Sequence, residues 1–255
     1  MLLLIDAGNT LCKWLSVSVD GRVERGSDSY EDLVQRWSGA CGLSRIACSS
    51  VLPPQQDQEL THLADKLSVP IWFAQSESSL GGLHNSYAVP GRLGVDRWLA
   101  MLAAWHRCGG ALCVVDAGTT MTIDIVDQRG SHRGGYIIPG IQMMRDSLFA
   151  KTGRVRDSQD RAENLSPGVS TKEAVSRGLQ LAHVGALMHV LSREVPKGNL
   201  SLFASGGTVG ETLGLGGVDA CYAPDLVLEG LVVSAGLNGI INEYRPVLEK
   251  VKVRP

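Results

Sequence analysis

Asp6-Ala7-Gly8-Asn9-Thr10 sets a carboxylate, two small residues, an amide and a hydroxyl in a row, and Lys13 follows one turn later. Asp6 can hold a metal ion or its waters, because Mg²⁺ prefers hard oxygen ligands and keeps much of its hydration shell. Asn9, Thr10 and the backbone N–H groups can grip phosphate oxygens, and Lys13 adds positive charge. Gly8 lets the backbone turn tightly and approach a ligand. In isolation an Asp-x-Gly turn also serves as a plain strand terminator. A second copy stands at Asp116-Ala117-Gly118-Thr119-Thr120, again behind an apolar run. Repetition of a strand followed by D-A-G-[NT]-T points to a duplicated fold with two phosphate-facing turns at one cleft. A carboxylate beside polyphosphate is costly without an intervening cation, which applies to Asp116 as to Asp6.

Between the copies lies Tyr87-Ala-Val-Pro90-Gly-Arg-Leu93-Gly94-Val95-Asp96-Arg97, followed by a stretch of good helix formers from Trp98 to Trp105. Asp96 at a helix start is an N-cap candidate. Arg97 there opposes the helix dipole and is expected to face an anion or a carboxylate. Ser205-Gly206-Gly207-Thr208 reads either as an anion-accepting helix start or as glycine packing against a neighbouring strand.

The elements that must position these residues follow from apolar runs and turn signals. Leu2–Ile5, Leu11–Val19, Arg22–Arg25, Arg45–Val51 and Val69–Ala74 are expected strands, with Asp20-Gly21 as a hairpin turn. Ser29 is placed to cap a helix ending near Trp37, and Pro54 to open one ending near Leu67. The resulting order, β-β-β-α-β-α-β, is that of a ribonuclease-H-like half. Strands at Leu112–Asp116, Met121–Val126 and His132–Ile138 repeat it, with helices at Ile141–Lys151 and Thr171–Glu194. A strand at Leu200–Ala204, a helix after Gly207, a strand at Ala220–Tyr222 and a helix over Leu226–Tyr244 complete the second half. The fold class expected is α/β, two ribonuclease-H-like halves with mixed sheets, 1–110 and 111–255, flanking a nucleotide cleft. The polar stretch Gly153–Ser170 reads as an exposed loop, a lid or a subunit contact.

Composition narrows the function classes. With 255 residues and 44% hydrophobic content the chain can bury sizeable cores, and a formal charge of −2 gives no bulk attraction to nucleic acid or anionic membrane. Aromatic residues at 5% argue against a base-stacking surface. The six cysteines show no C-x-x-C pair, and several lie inside apolar runs as small hydrophobes. No membrane partner and a disulfide-free, cytoplasmic protein are therefore expected, the chain opening directly on a strand with no signal-like segment.

The ordered set of motifs resembles the type III pantothenate kinases of the acetate and sugar kinase/Hsp70/actin superfamily. The resemblance rests on D-A-G-N-T at Asp6–Thr10 with Lys13, Ser50-Val51-Leu52-Pro53, and Tyr87-x-x-Pro90-x-x-Leu93-Gly94-x-Asp96-Arg97. It continues through D-A-G-T-T-x-T at Asp116–Thr122, G-G-x-I-x-P-G at Gly134–Gly140, Thr171-x-x-Ala174-Val175-x-x-Gly178, Ser205-Gly206-Gly207 and Pro224-Asp225-Leu226. Thr120 and Val175 stand where many members carry Ala and Ile. The resemblance implies ATP-dependent phosphorylation of the primary hydroxyl of pantothenate. It assigns ATP binding to Asp6, Ala7, Gly8, Asn9, Thr10, Leu11, Cys12, Lys13 and Thr119, with Asp6 organising Mg²⁺, in part through water. Asp96 is implied as proton acceptor, and Tyr87, Gly94, Val95, Asp96, Arg97 and Thr171 as the pantothenate site. Asp116 is implied to hold a monovalent cation, K⁺ or NH₄⁺. Thr171 reaches the substrate from a neighbouring subunit in this family, so a homodimer with a shared active site is part of the expectation. Other readings are a non-catalytic, transcription-accessory member of the same family, or a kinase or phosphatase of the superfamily acting on a sugar, acetate or polyphosphate. An Hsp70- or actin-like interaction protein would need subdomains for which 255 residues leave no room.

Overall fold

The computed structural model describes residues 1–152, 161–194 and 199–250. Two compact units emerge: Met1–Gly109 with Arg129–His132 and Asp225–Pro255, and Gly110–Gln128 with Arg133–Pro224.

In the first unit, β1 (Leu2–Ala7) pairs antiparallel with β2 (Cys12–Val17), which pairs with β3 (Val23–Asp28). Helix α1 (Tyr30–Trp37) returns the chain so that β4 (Arg45–Ser50) lies parallel to β1, and α2 (Pro54–Lys66) does the same for β5 (Ile71–Phe73). The sheet order is therefore β3-β2-β1-β4-β5. The local signals behave as expected. Ser29 caps α1, its side chain accepting from the Asp32 N–H at 3.1 Å, and Pro54 opens α2. Strand alternation divides β1 cleanly. Leu3, Ile5 and Ala7 join Trp14, Leu33, Trp37, Cys48 and Leu60 in one core. Leu2, Leu4 and Asp6 take the opposite face. Two helices pack together there, α3 (Val95–Cys108) and the later Leu226–Leu237.

A short hairpin of β6 (Ser79–Leu80) and β7 (Leu83–His84), not anticipated from the sequence, precedes α3. Its strands are too short and polar to show periodicity.

The second unit repeats the plan. β8 (Leu112–Ala117), β9 (Thr120–Val126), β10 (His132–Pro139), β11 (Ser201–Ser205) and β12 (Cys221–Tyr222) form a sheet of order β10-β9-β8-β11-β12. This is the first sheet's order element for element, and it makes the duplication explicit. Helices α4 (Ile141–Lys151), α5 (Thr171–Glu194) and α6 (Val209–Gly216) belong to this unit. Its core gathers Val115, Ala117, Met121, Ile123, Leu187 and Ala204.

The closing helix is shorter than expected. α7 (Leu226–Leu237) stops before Asn238-Gly239, with Gly239 at φ +73°, and a 3₁₀ turn (Asn242–Tyr244) leads to α8 (Arg245–Lys250). A residue in the left-handed region ends an α-helix, so the apolar run alone overstates its length. Of the polar stretch Gly153–Ser170, residues 153–160 lie outside the described residues. Among the described residues no single helix is long and apolar enough to cross a membrane.

Candidate active site

The first hairpin turn is built by β1 and β2. Asp6 lies opposite Lys13 across the antiparallel pair and beside Ser49 on the parallel strand β4. Directly opposed residues share a sheet face, so the carboxylate, the ammonium group and the hydroxyl all lie on the α3 side. Asp6 and Lys13 are half-buried, whereas Ser49 is fully buried and its Oγ has no hydrogen-bond partner. The loop between the strands is closed by the Gly8 N–H donating to the Leu11 carbonyl at 3.3 Å, and it leaves Asn9, Thr10 and Leu11 exposed. Cys12 points the other way, into the core, and burial reinforced by the Asp6 charge pushes its thiol up to about 11. A ligand in this turn would meet the backbone of Cys12, not its sulfur.

The second turn, between β8 and β9, places Asp116 opposite Thr122 and beside Ser205 of β11. The Ser205 hydroxyl donates to the Asp116 carboxylate. Gly206 has φ +90°, and a Cβ on it would lie 2.2 Å from the Ala117 carbonyl oxygen. That close approach accounts for the first glycine of Ser205-Gly206-Gly207 by packing. Thr208 uses both its N–H and its hydroxyl on the same Ala117 carbonyl, at 3.1 and 3.0 Å. Thr119 and Gly118 are exposed at the tip of the turn.

Asp96 sits one residue inside α3. The N-cap position belongs to Gly94, with no side-chain cap bond, so Asp96 is not the N-cap its place in the sequence suggested. Its Oδ1 accepts from the Arg97 N–H at 2.8 Å. Gly94 is what makes room: a Cβ there would stand 2.6 Å from Asp96 Oδ1. Arg97 is 7% exposed, and its Nη1 donates to the Tyr87 hydroxyl at 3.2 Å. The structure thus joins Tyr87, Gly94, Asp96 and Arg97 in one constellation at the start of a helix. The polarity of that helix start favours a carboxylate at Asp96, and Arg97 turns its charge toward the tyrosine.

Thr171, also exposed, opens α5. The preceding Ser170 acts as cap, its Oγ accepting from the Glu173 N–H at 3.2 Å, while Glu173 reaches back to the Val169 N–H at 2.8 Å. This variant of the capping box holds Thr171 outward on a stable first turn.

The donor sets suit hard cations that arrive with a ligand. Among the described residues no group of three or more His, Cys, Asp or Glu forms a metal-binding cluster. A Mg²⁺ ion that keeps its waters and takes further oxygens from phosphates fits the single carboxylate of Asp6, and a protein cage does not. At Asp116 a half-buried carboxylate bonded to a neutral hydroxyl, without an ion pair among the described residues, suits a single-charge cation with oxygen ligands.

Ser205, singled out in the sequence within Ser205-Gly206-Gly207-Thr208, lies beside Asp116 and bonds to it. One residue here was not singled out from the sequence. His132, whose ring stacks on Tyr87, gave no signal beyond its place at a strand start.

A family profile for type III pantothenate kinase matches residues 2–193. The type III pantothenate kinase of Marinobacter nauticus is 38% identical over 247 residues, which covers 93% of this chain and 100% of that protein. Among solved structures, a Campylobacter jejuni protein assigned to the Baf family of transcriptional activators superposes with a TM-score of 0.61 at 20% identity. The alignment covers 93% of this chain and 98% of that one. A Sinorhizobium meliloti protein assigned as a 2-dehydro-3-deoxygalactonokinase gives a TM-score of 0.55 at 12% identity, covering 92% and 98%. Both structural likenesses bear on fold alone, and they agree with the duplicated ribonuclease-H-like architecture. The extent of the profile match and the near-complete coverage of the sequence relative make the chain a member of the type III pantothenate kinase family.

Proposed function

We propose that the protein transfers the γ-phosphoryl group of ATP to the primary hydroxyl of pantothenate in the cytoplasm, giving 4′-phosphopantothenate and ADP. The observation that supports this reading most is the Tyr87–Gly94–Asp96–Arg97 constellation. It offers a carboxylate for a hydroxyl proton beside a buried guanidinium and a phenol for a substrate carboxylate. Asp96 accepts the hydroxyl proton as the substrate oxygen bonds to the γ-phosphorus and the bond to the bridging oxygen of ADP breaks. Phosphoryl transfer passes through a loose transition state, so orientation of the hydroxyl by Asp96 matters more than its basicity. The Tyr87 oxygen already accepts from Arg97, which leaves its own proton to donate to the ligand.

The Asp6–Lys13 turn binds the ATP phosphates and Thr119 adds a contact. Mg²⁺ bound with the nucleotide, facing Asp6, supplies charge neutralisation. Asp116 holds K⁺ or NH₄⁺. Thr171, exposed on the first turn of α5, completes the pantothenate site of a second subunit, which makes a homodimer the working unit.

The test is a coupled assay of ADP release with ATP, Mg²⁺ and pantothenate, run in K⁺, NH₄⁺ and Na⁺ buffers. Turnover should require pantothenate and fall in Na⁺ alone. Asp96→Asn should lower kcat on the order of 100-fold or more while ATP binding persists. Near-full activity in that variant would remove Asp96 from its role. No turnover in any buffer, from folded protein, would favour the transcription-accessory reading.

A further inference from the structure

His132 lies outside every motif that the family resemblance marks, yet it is 2% exposed and packs against the center of the candidate pantothenate site. Its ring stacks on Tyr87, with centroids 6.1 Å apart and planes 16° from parallel. Its Nδ1 lies 3.1 Å from the Ser86 hydroxyl, so the stacking partner of Tyr87 is also tied to the residue preceding Tyr87. The segment that carries it is anchored as well. Ser131 bridges to His84 of β7, and the His84 N–H donates to the Gly130 carbonyl at 2.8 Å. On its other side the Tyr87 hydroxyl accepts from Arg97. Asn85 steadies the intervening loop by accepting from the Tyr87 N–H at 2.9 Å and donating to the Glu77 and Pro90 carbonyls.

We infer that His132 is a positioning residue for substrate binding: it fixes the plane of Tyr87 and, through the tyrosine hydroxyl, the pose of the Arg97 guanidinium. This rests on the reading of Tyr87 and Arg97 as the pantothenate site. A half-buried tyrosine on a loop has two open faces and can rotate about χ1, and each lost orientation weakens a directional contact to a carboxylate. A parallel aromatic neighbour at this separation removes that freedom from one face.

The experiment compares His132→Ala, His132→Phe and wild type by steady-state kinetics, with melting temperature as a control for folding. In His132→Ala the KM for pantothenate should rise on the order of tenfold, with kcat and the KM for ATP within about twofold of wild type. His132→Phe keeps the stacked ring and loses the bond to Ser86, so most of the pantothenate KM should return. An unchanged pantothenate KM in His132→Ala overturns the inference. So does a parallel rise in both KM values with a lowered melting temperature that Phe does not rescue, because that is the mark of a purely structural residue. Wild-type protein lacking pantothenate-dependent turnover would instead overturn the substrate reading, and the inference with it.

Discussion

Asp6 and Asp116 occupy the same point in two sheets of identical strand order, and the surroundings of the two carboxylates differ at three places. Ala7 pairs with Cys12 and Ala117 with Met121, so the first turn spans Gly8 to Leu11 and the second, one residue shorter, Gly118 to Thr120. Across the hairpin Asp6 faces Lys13, and Asp116 faces Thr122. On the parallel strand both carboxylates adjoin a serine, but Ser205 is bonded to Asp116 whereas Ser49 is buried without a partner. One duplicated frame thus carries two electrostatic environments. A cation built into the chain suits the first turn to polyphosphate, and a carboxylate opposite Thr122 and bonded to the Ser205 hydroxyl suits the second to a bound ion.

The largest effect is expected where the backbones diverge. In register with Ala7 stands Ser50, and in register with Ala117 the chain continues into Gly206. Gly206→Ser would force a side chain into the Ala117 carbonyl at a left-handed φ, with a destabilisation on the order of 4 kcal/mol or failure to fold. Ser50→Gly should cost only about 1–2 kcal/mol, from lost hydrogen bonds to Asp57 and to the Leu52 N–H and from added chain entropy. Urea midpoints for the pair measure this; similar values would mean that the second turn does not depend on its glycine.

The charge difference gives the next effect. Lys13→Met should raise the KM for ATP about tenfold or more, while Thr122→Val should change it little. If Thr122→Val proved the more damaging, the phosphate role would belong to the second turn.

The last difference separates the serines. Ser205→Ala breaks a hydrogen bond to a charged group and should cost about 1.5–3 kcal/mol of stability. Ser49→Ala removes a buried hydroxyl that bonds to nothing and should lie within about 0.5 kcal/mol of wild type, or be stabilising. Equal losses in denaturant titrations would show that Ser49 bonds to a group that the fold alone does not bring to it.

Much of the frame was readable from local pattern. β1 and β8 are apolar runs closed by D-A-G, Ser29 and Pro54 are strong helix openers, and α4 and α5 run over the expected spans. Each of these rests on residues within a turn or two of one another, where side-chain period and backbone preference act directly. The misreadings have local causes too. Asn238-Gly239 ends α7 inside an apolar stretch, and α3 begins at Val95, earlier than an Asp96 N-cap would require, so that Gly94 takes the cap position.

The sequence by itself determined which residue types are present for the chemistry, that the D-A-G turn occurs twice, and that each turn closes a buried strand. The tertiary structure alone decided that Ser205 would reach Asp116, that Arg97 would donate to the Tyr87 hydroxyl, and that His132 would stack on Tyr87. Arg97 and Tyr87 lie only 10 residues apart, but the Ser205–Asp116 and His132–Tyr87 contacts join residues far apart along the chain. They depend on strand order and register, which are set by burying whole sheet faces together and not by the preferences of any one segment.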